Sequence, residues 1–294
     1  MTTATLATTV GDAAAHRRTA TRIAVTSSLV PAIVVAVIVA LVVWLVSDVV
    51  IGIVAGLVVG AAIGAIYFSV MRAAAVPGLL RVMNAEPAGA NRFARYVNLI
   101  EGLCISSGIA EPELFWVDDD RINLMVVGRP GEAAMVATSG LLEELNRVEL
   151  EGLLAEGLVR IRSYDAHLGA QAATFVCGPL IRNGPVYPGR PMWMVKPLAG
   201  WRAGRLRAAL GEQRDMLADL DAVSLTRYPP GLSDAFKKAE ARGTAVPDCS
   251  WGAAHLWLLD PLSEVGQGTE EARLNELFRN HPPLRHRIDL LDEL

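Results

Sequence analysis

The stretch Ile23 to Val70, IAVTSSLVPAIVVAVIVALVVWLVSDVVIGIVAGLVVGAAIGAIYFSV, decides the fold. It holds two near-continuous apolar runs, 23–46 and 49–70, broken only by Ser47-Asp48. At about 1.5 Å per helical residue, each run is long enough to cross a hydrocarbon core of roughly 30 Å. In lipid each segment must satisfy its own backbone hydrogen bonds, so a two-residue break between two spans predicts an antiparallel helical hairpin. The first run is too long for the apolar core of a signal peptide and a second run follows at once, so it reads as an anchor. Arg17, Arg18 and Arg22 precede the hairpin, Arg72 and Arg81 follow it, and the turn carries neither Lys nor Arg. The positive-inside rule then puts the N-terminus and everything after residue 71 in the cytoplasm, as in a multi-pass membrane protein.

Gly52, Gly56, Gly60 and Gly64 recur every four residues and form one stripe on the second span, where another backbone can approach closely. Two partners are open at this point. One is the first span, whose Ala32, Ala36 and Ala40 share the spacing; the other is a second subunit or another membrane protein.

Outward from the hairpin the chain has little that is unusual. The 294 residues are 52% hydrophobic, which is high unless part of the chain is in a membrane. A net charge of −4 without a basic block argues against a nucleic-acid partner. Cys104, Cys177 and Cys249 are too few and too scattered for a disulfide framework or a metal knuckle. Residues 1–22 read as a flexible tail, 23–71 as the hairpin and 72–294 as one cytoplasmic domain.

Within that domain, Phe93, Tyr96, Val97, Ile100 and Leu103 have helical spacing up to Gly108. Glu113 to Val117, Arg121 to Gly128 and Ala133 to Thr138 are short strand-like stretches bounded by turn residues. A short helix is expected over Gly140 to Leu145. Asn146 with Glu149 three positions on has the form of a capping box, so a long helix should start near Arg147 and run to about Gly169. Residues 175–200 are rich in Pro, Gly, Met and Trp and break the pattern. Helices are expected again over Arg202 to Thr226, Gly231 to Arg242 and Leu284 to Leu291. The class is therefore α+β, mainly helical, with a small sheet.

Several segments carry a resemblance. Leu103-Cys104, Ser107-Gly108, Pro112, Asn123, Ala137 to Leu142 and Arg147 to Ala155 resemble the HtpX-type membrane zinc metalloproteases. So do Leu217-Ala218-Asp219, Leu225-Thr226-Arg227, Pro230-Gly231-Leu232 and His281-Pro282-Pro283. The resemblance covers nearly everything from residue 90 onward and implies a zincin-like domain. It also implies that an HExxH signature should follow Ala155. There, two histidines one turn apart bind Zn²⁺ and the Glu between them activates the metal-bound water. In its place stand Glu156, Gly157, Leu158, Val159 and Arg160, and the family's third ligand, a Glu, is Asp215.

Each replacement touches a separate requirement. A carboxylate at Glu156 is still a ligand, but the guanidinium of Arg160 has no lone pair to give and repels a dication. Gly157 supplies no base. Zinc is therefore expected to be absent, with no cofactor; a hard cation such as Mg²⁺ or Ca²⁺ on Glu156, Asp215 and Asp219 is the alternative, and Arg160 in the same place argues against it. Glu156 and Arg160 are also in the better order for an i,i+4 pair. Arg160 is expected to stand in for the cation, joining Glu156 to Asp215 or Asp219 in a buried ion-pair network.

The resemblance places substrate along an edge strand matching Arg121, Ile122, Asn123, Leu124 and Met125, with Leu124 where the family usually has Ala. Such an edge can add a peptide strand. Met192-Trp193-Met194 through Trp201, with Arg202, Arg205 and Arg207, reads as a loop or surface helix suited to the membrane interface or a protein partner, since Arg182, Arg190 and Lys196 rule out a further span. His281, His167 and His255 read as structural. Together these readings predict no enzyme but a pseudoprotease, serving as a binding, scaffold or regulatory subunit of a membrane complex. The alternatives are a quality-control adaptor for peptides or unfolded proteins, and an active metalloendopeptidase with displaced ligands.

Overall fold

The computed structural model describes residues 2–129, 131–178, 192–246, 249–262 and 275–294. Helices α1, Thr2–Val46, and α2, Val49–Val82, form the hairpin, and both are long and apolar enough to cross a membrane. Asp48 closes the turn by accepting from the Val50 backbone N–H at 2.8 Å, so its polar side chain caps α2. The glycine stripe lies against α1. A Cβ at Gly52 would sit 2.7 Å from the Ala40 carbonyl oxygen, and one at Gly60 would sit 2.6 Å from that of Ala32. Close backbone contact thus depends on the missing side chains, while Val50, Ile53, Val54, Leu57 and Val58 remain on the outside.

The hairpin overruns the expected boundaries 23–71 at both ends. The tail expected to be flexible is helical from Thr2, continuous with the first span. Its lower part is packed: Ala20, Ile23 and Ala24 are buried, His16 Nδ1 lies 2.8 Å from the Ser163 carbonyl, and the Arg17 guanidinium stacks over Tyr164. Tertiary contact, invisible in a Thr/Ala-rich sequence, orders this segment.

Strand β1, Glu86–Pro87, and helix α3, Ala90–Ser107, follow, and Gly108 ends α3 in the left-handed conformation. Strands β2, Glu113–Val117, β3, Leu124–Arg129, and β4, Glu132–Thr138, complete a mixed sheet of order β1-β2-β4-β3, in which only β2 and β4 are parallel. Both faces are buried. Met125, Val127, Ala134 and Val136 face the membrane-proximal core, and their neighbours Leu124, Val126, Met135 and Ala137 face the distal one. This is the two-residue period of a strand.

Thr138 caps helix α4, Ser139–Glu144, and Asn146 caps helix α5, Arg147–Arg162. The capping box forms: Asn146 Oδ1 accepts from the Val148 and Glu149 amides, while Glu149 Oε2 accepts from Asn146 N–H at 2.7 Å. Contrary to the expected single helix to Gly169, α5 stops where Tyr164 takes φ +59. Helix α6, Asp165–Gln171, then leads into a π-helical turn, Ala172–Val176. The helix expected over Arg202 to Thr226 is likewise two, α7, Met192–Leu210, and α8, Arg214–Thr226, separated at Gly211, whose φ is +81. Residues 179–191 of the Pro/Gly-rich segment, with Arg182 and Arg190, lie outside the described residues. Helices α9, Pro229–Arg242, and α10, Leu284–Asp292, close the distal core. Helix α5 is sandwiched between the sheet and helices α8 and α9.

Candidate functional site

The cap at Asn146 sets the phase of α5 and so decides where residues 156–160 point. Glu156 and Arg160 face α8 and are withdrawn from water, at 0% and 1% exposure. Arg160 Nη2 donates to Glu156 Oε1 at 2.7 Å and to Asp215 Oδ1 at 2.8 Å; Nε adds a longer bond to Glu156 at 3.3 Å. Asp219, one turn beyond Asp215, goes instead to Arg287 of α10. Arg287 holds it bidentately at 2.8 and 2.5 Å and also reaches Glu156 Oε1 at 3.0 Å. His281 Nδ1 lies 2.9 Å from Asp215 Oδ2. Asp165 lies 3.7 Å from Arg160 and is clasped by Arg214 at 2.8 Å.

Sequence reasoning missed Arg287, Arg214 and Asp165. For Arg287 a signal exists: it shares the apolar stripe of Leu284, Ile288 and Leu291, and a guanidinium on the buried side of an amphipathic helix needs carboxylates to meet it. Asp165 and Arg214 carry no such mark, because their pairing depends on the break at Tyr164.

Charge is shared unevenly. Burial alone would raise the carboxyl of Asp215, but His281 and Arg160 outweigh it and hold it well below the usual carboxylate range. Burial pushes Asp219 up to about 7 against the pull of Arg287, and neighbouring Glu156 adds to the rise. Three carboxyls thus share two guanidiniums and an imidazole, and one of the three is pushed toward keeping its proton.

This donor set does not fit zinc. Zn²⁺ takes lone pairs from imidazole, thiolate or carboxylate in a tetrahedral shell. Here the oxygens of Asp215 and Asp219 accept from His281, Arg160 and Arg287, Glu156 Oε1 accepts from both arginines, and only Glu156 Oε2 is unengaged. Among the described residues no group of three or more His, Cys, Asp or Glu is arranged to hold a metal. Gly157, at the position of the general base, faces the sheet, and a Cβ there would collide with Met135 Cε.

The edge expected over residues 121–125 is not the open strand that peptide addition needs. The strand begins at Leu124, not Arg121, and the chain itself covers its outer side. Trp257 bridges to Met125, the Leu258 amide donates to the Leu124 carbonyl at 2.9 Å, and Ile122 N–H donates to Gly243. Asn123 Nδ2 donates to the Thr244 and Leu259 carbonyls at 2.9 and 3.0 Å. Ile122, Asn123, Leu124 and Met125 are consequently buried.

His255 Nε2 lies 2.9 Å from the Gly169 carbonyl in the core, and burial, with Arg214 nearby, pushes it down to about 3. His167 lies 3.4 Å from the Gly128 carbonyl, and Cys104 is buried. The segment ending at Trp201 is helical, with Trp201 exposed under Arg205.

Among known proteins, a Protease HtpX homolog of Dictyoglomus turgidum is 33% identical over 209 residues, 65% of this chain and 66% of that one. A Protease HtpX homolog of Dictyoglomus thermophilum is 30% identical over 227 residues, 71% and 72% of the two chains. One from Streptococcus agalactiae is 30% identical over 244 residues, 72% and 77%. No family model matches the chain, and no solved structure matches it at a significant level. The two spanning helices and these relatives give the chain a membrane location. The relatives bear the name of a protease, an enzyme, and this overturns the expectation that the chain is not one.

Proposed function

Because the chain belongs to the HtpX protease family, we propose that it works on this membrane-anchored scaffold by binding a protein partner, as a regulatory subunit of a membrane complex, with arginine where its family places zinc. The supporting observation is the double occupancy of the carboxylates by Arg160 and Arg287. A buried guanidinium pair locks α5, α8 and α10 together with the fixed geometry of forked hydrogen bonds. In this reading the protein is a multi-pass inner-membrane protein with both the N-terminus and the domain after residue 71 in the cytoplasm, as the arginines flanking the hairpin favour.

A second reading, a zinc endopeptidase with displaced ligands, is favoured by the names of the relatives. Purification in mild detergent, followed by partner identification, metal analysis and casein cleavage, separates the two. A single stoichiometric membrane partner supports the first. Stoichiometric zinc with chelator-sensitive cleavage supports the second.

A further inference from the structure

At the open end of the hairpin, one face of α1 changes from apolar to cationic. Leu29, Val25, Arg22 and Arg18 follow one another at steps of four, three and four residues, which puts them on a single stripe of the helix. Ala20, Ala24 and Ser28 are buried on the opposite side. Leu29 and Val25 are 51% and 46% exposed, so on a spanning helix they meet acyl chains. Arg22 and Arg18 are exposed on the same face, and so meet what lies beneath those chains. The apolar part of α1, residues 25–46, is about 33 Å long, against roughly 30 Å of hydrocarbon. Arg22 then lies about 4–5 Å below its end and Arg18 about 10 Å below. The headgroup layer is roughly 5–8 Å deep, and a guanidinium on a flexible stem reaches back over the difference.

No carboxylate of the hairpin balances this pair. Between residues 13 and 85 the only acidic side chain is Asp48, at the other end of the hairpin. Arg17 stacks over Tyr164 and Arg72 lies over Phe68, but among the described residues Arg18 and Arg22 have no ring, ion-pair or side-chain hydrogen-bond partner. By contrast, Arg129, Arg160, Arg162, Arg214 and Arg287 of the domain each meet a carboxylate. Like charges one turn apart on a helix repel, and an anion held between them removes that cost. A phosphate has the geometry for two guanidinium forks.

We propose that Arg18 and Arg22 form a headgroup site for an anionic phospholipid. The two guanidiniums close on its phosphate, and its acyl chains lie along Val25 and Leu29. A lipid fits better than free phosphate because the apolar half of the stripe continues directly from the cationic half. An anionic lipid fits better than a zwitterionic one, whose own ammonium competes for the same phosphate. The site goes beyond the partner-binding role and stands without it.

The test titrates full-length protein in detergent with phosphatidylglycerol and with phosphatidylcholine of the same acyl chains, and native mass spectrometry reads the first bound lipid of each. Phosphatidylglycerol should bind about 25-fold more tightly, because each arginine near an anionic headgroup is worth a factor of about five. Arg18→Gln or Arg22→Gln alone should lower that ratio about fivefold, and the two together should nearly abolish it. Arg147→Gln with Arg227→Gln, which removes two exposed arginines of the domain, should leave it unchanged. Unfolding temperature without lipid, the control for folding, should be the same in every variant. Glycerol phosphate, a headgroup without chains, should not displace the bound lipid at equal concentration. Equal affinity of the wild type for the two lipids overturns the proposal. So does a preference that survives loss of Arg18 and Arg22, one that is lost equally with Arg147 and Arg227, or displacement by glycerol phosphate.

Discussion

Replacing Arg160 by Met should be the most damaging conservative change in the domain. The side chain is 1% exposed and makes charge-assisted bonds of 2.7 and 2.8 Å to Glu156 and Asp215. A unit-charge pair at 4 Å is worth roughly 4 kcal/mol at an effective dielectric of 20. Two pairs are lost, but the arginine's own desolvation is relieved and Glu156 keeps Arg287, so the net loss should be about 3–5 kcal/mol, as for other broken buried pairs. For a unit of this size that lowers the unfolding temperature by roughly 10 °C. Tryptophan fluorescence during heating in dodecyl maltoside at pH 7 measures it. Adding Glu156→Gln and Asp215→Asn removes the stranded charges and should restore more than half of the loss. A fall of under 2 °C for Arg160→Met, or no recovery in the triple variant, would refute the reasoning, because the cost would then not come from uncompensated buried charge.

Other consequences follow from the same geometry. Gly56→Leu should push α2 off the Ala36 carbonyl and destabilise the hairpin by about 1–3 kcal/mol, whereas Gly78→Ala, with open space around it, should be neutral or slightly stabilising; thermal unfolding of both variants checks this. His255 is held neutral in the fold, with its ordinary 6.5 lowered to about 3, so below pH 6.5 the unfolded chain takes up a proton that the folded one refuses. Its contribution therefore falls as pH drops from 6.5 toward 3, by roughly 1 kcal/mol per pH unit. Unfolding temperature against pH should be flatter in His255→Gln; an unchanged slope would discard this assignment. Asn123→Ala should cost about 2–3 kcal/mol by removing its bonds to the buried Thr244 and Leu259 carbonyls, and should speed limited proteolysis within 243–259.

What could be read from the sequence was local. The hairpin follows from two apolar runs and Asp48, and the start of α5 from Asn146 and Glu149, whose side chains close a box within four residues. Non-local features could not be read that way. Tyr164 in a left-handed conformation is uncommon for a bulky residue and is held by Arg17 from a helix nearly 150 positions earlier, so neither the end of α5 nor the ordered tail was visible. The covering of β3 depends on Trp257 and Leu258, more than 130 positions away, and nothing local in the sequence marks that pairing. Within the candidate site, Glu156, Arg160, Asp215 and Asp219 were identifiable because each departs from or matches a motif position. Arg287 completes the charge balance from α10, on the same buried side as Ile288 and Leu291.

The central claim is that guanidinium groups hold the place of the family's zinc. Elemental analysis of the full-length chain, purified without chelator from cells grown in zinc-supplemented medium, tests it most directly. Well below one zinc per chain is the predicted result, unchanged after dialysis against chelator and with the same unfolding temperature. One zinc per chain, removed by chelator with a loss of stability, would contradict it.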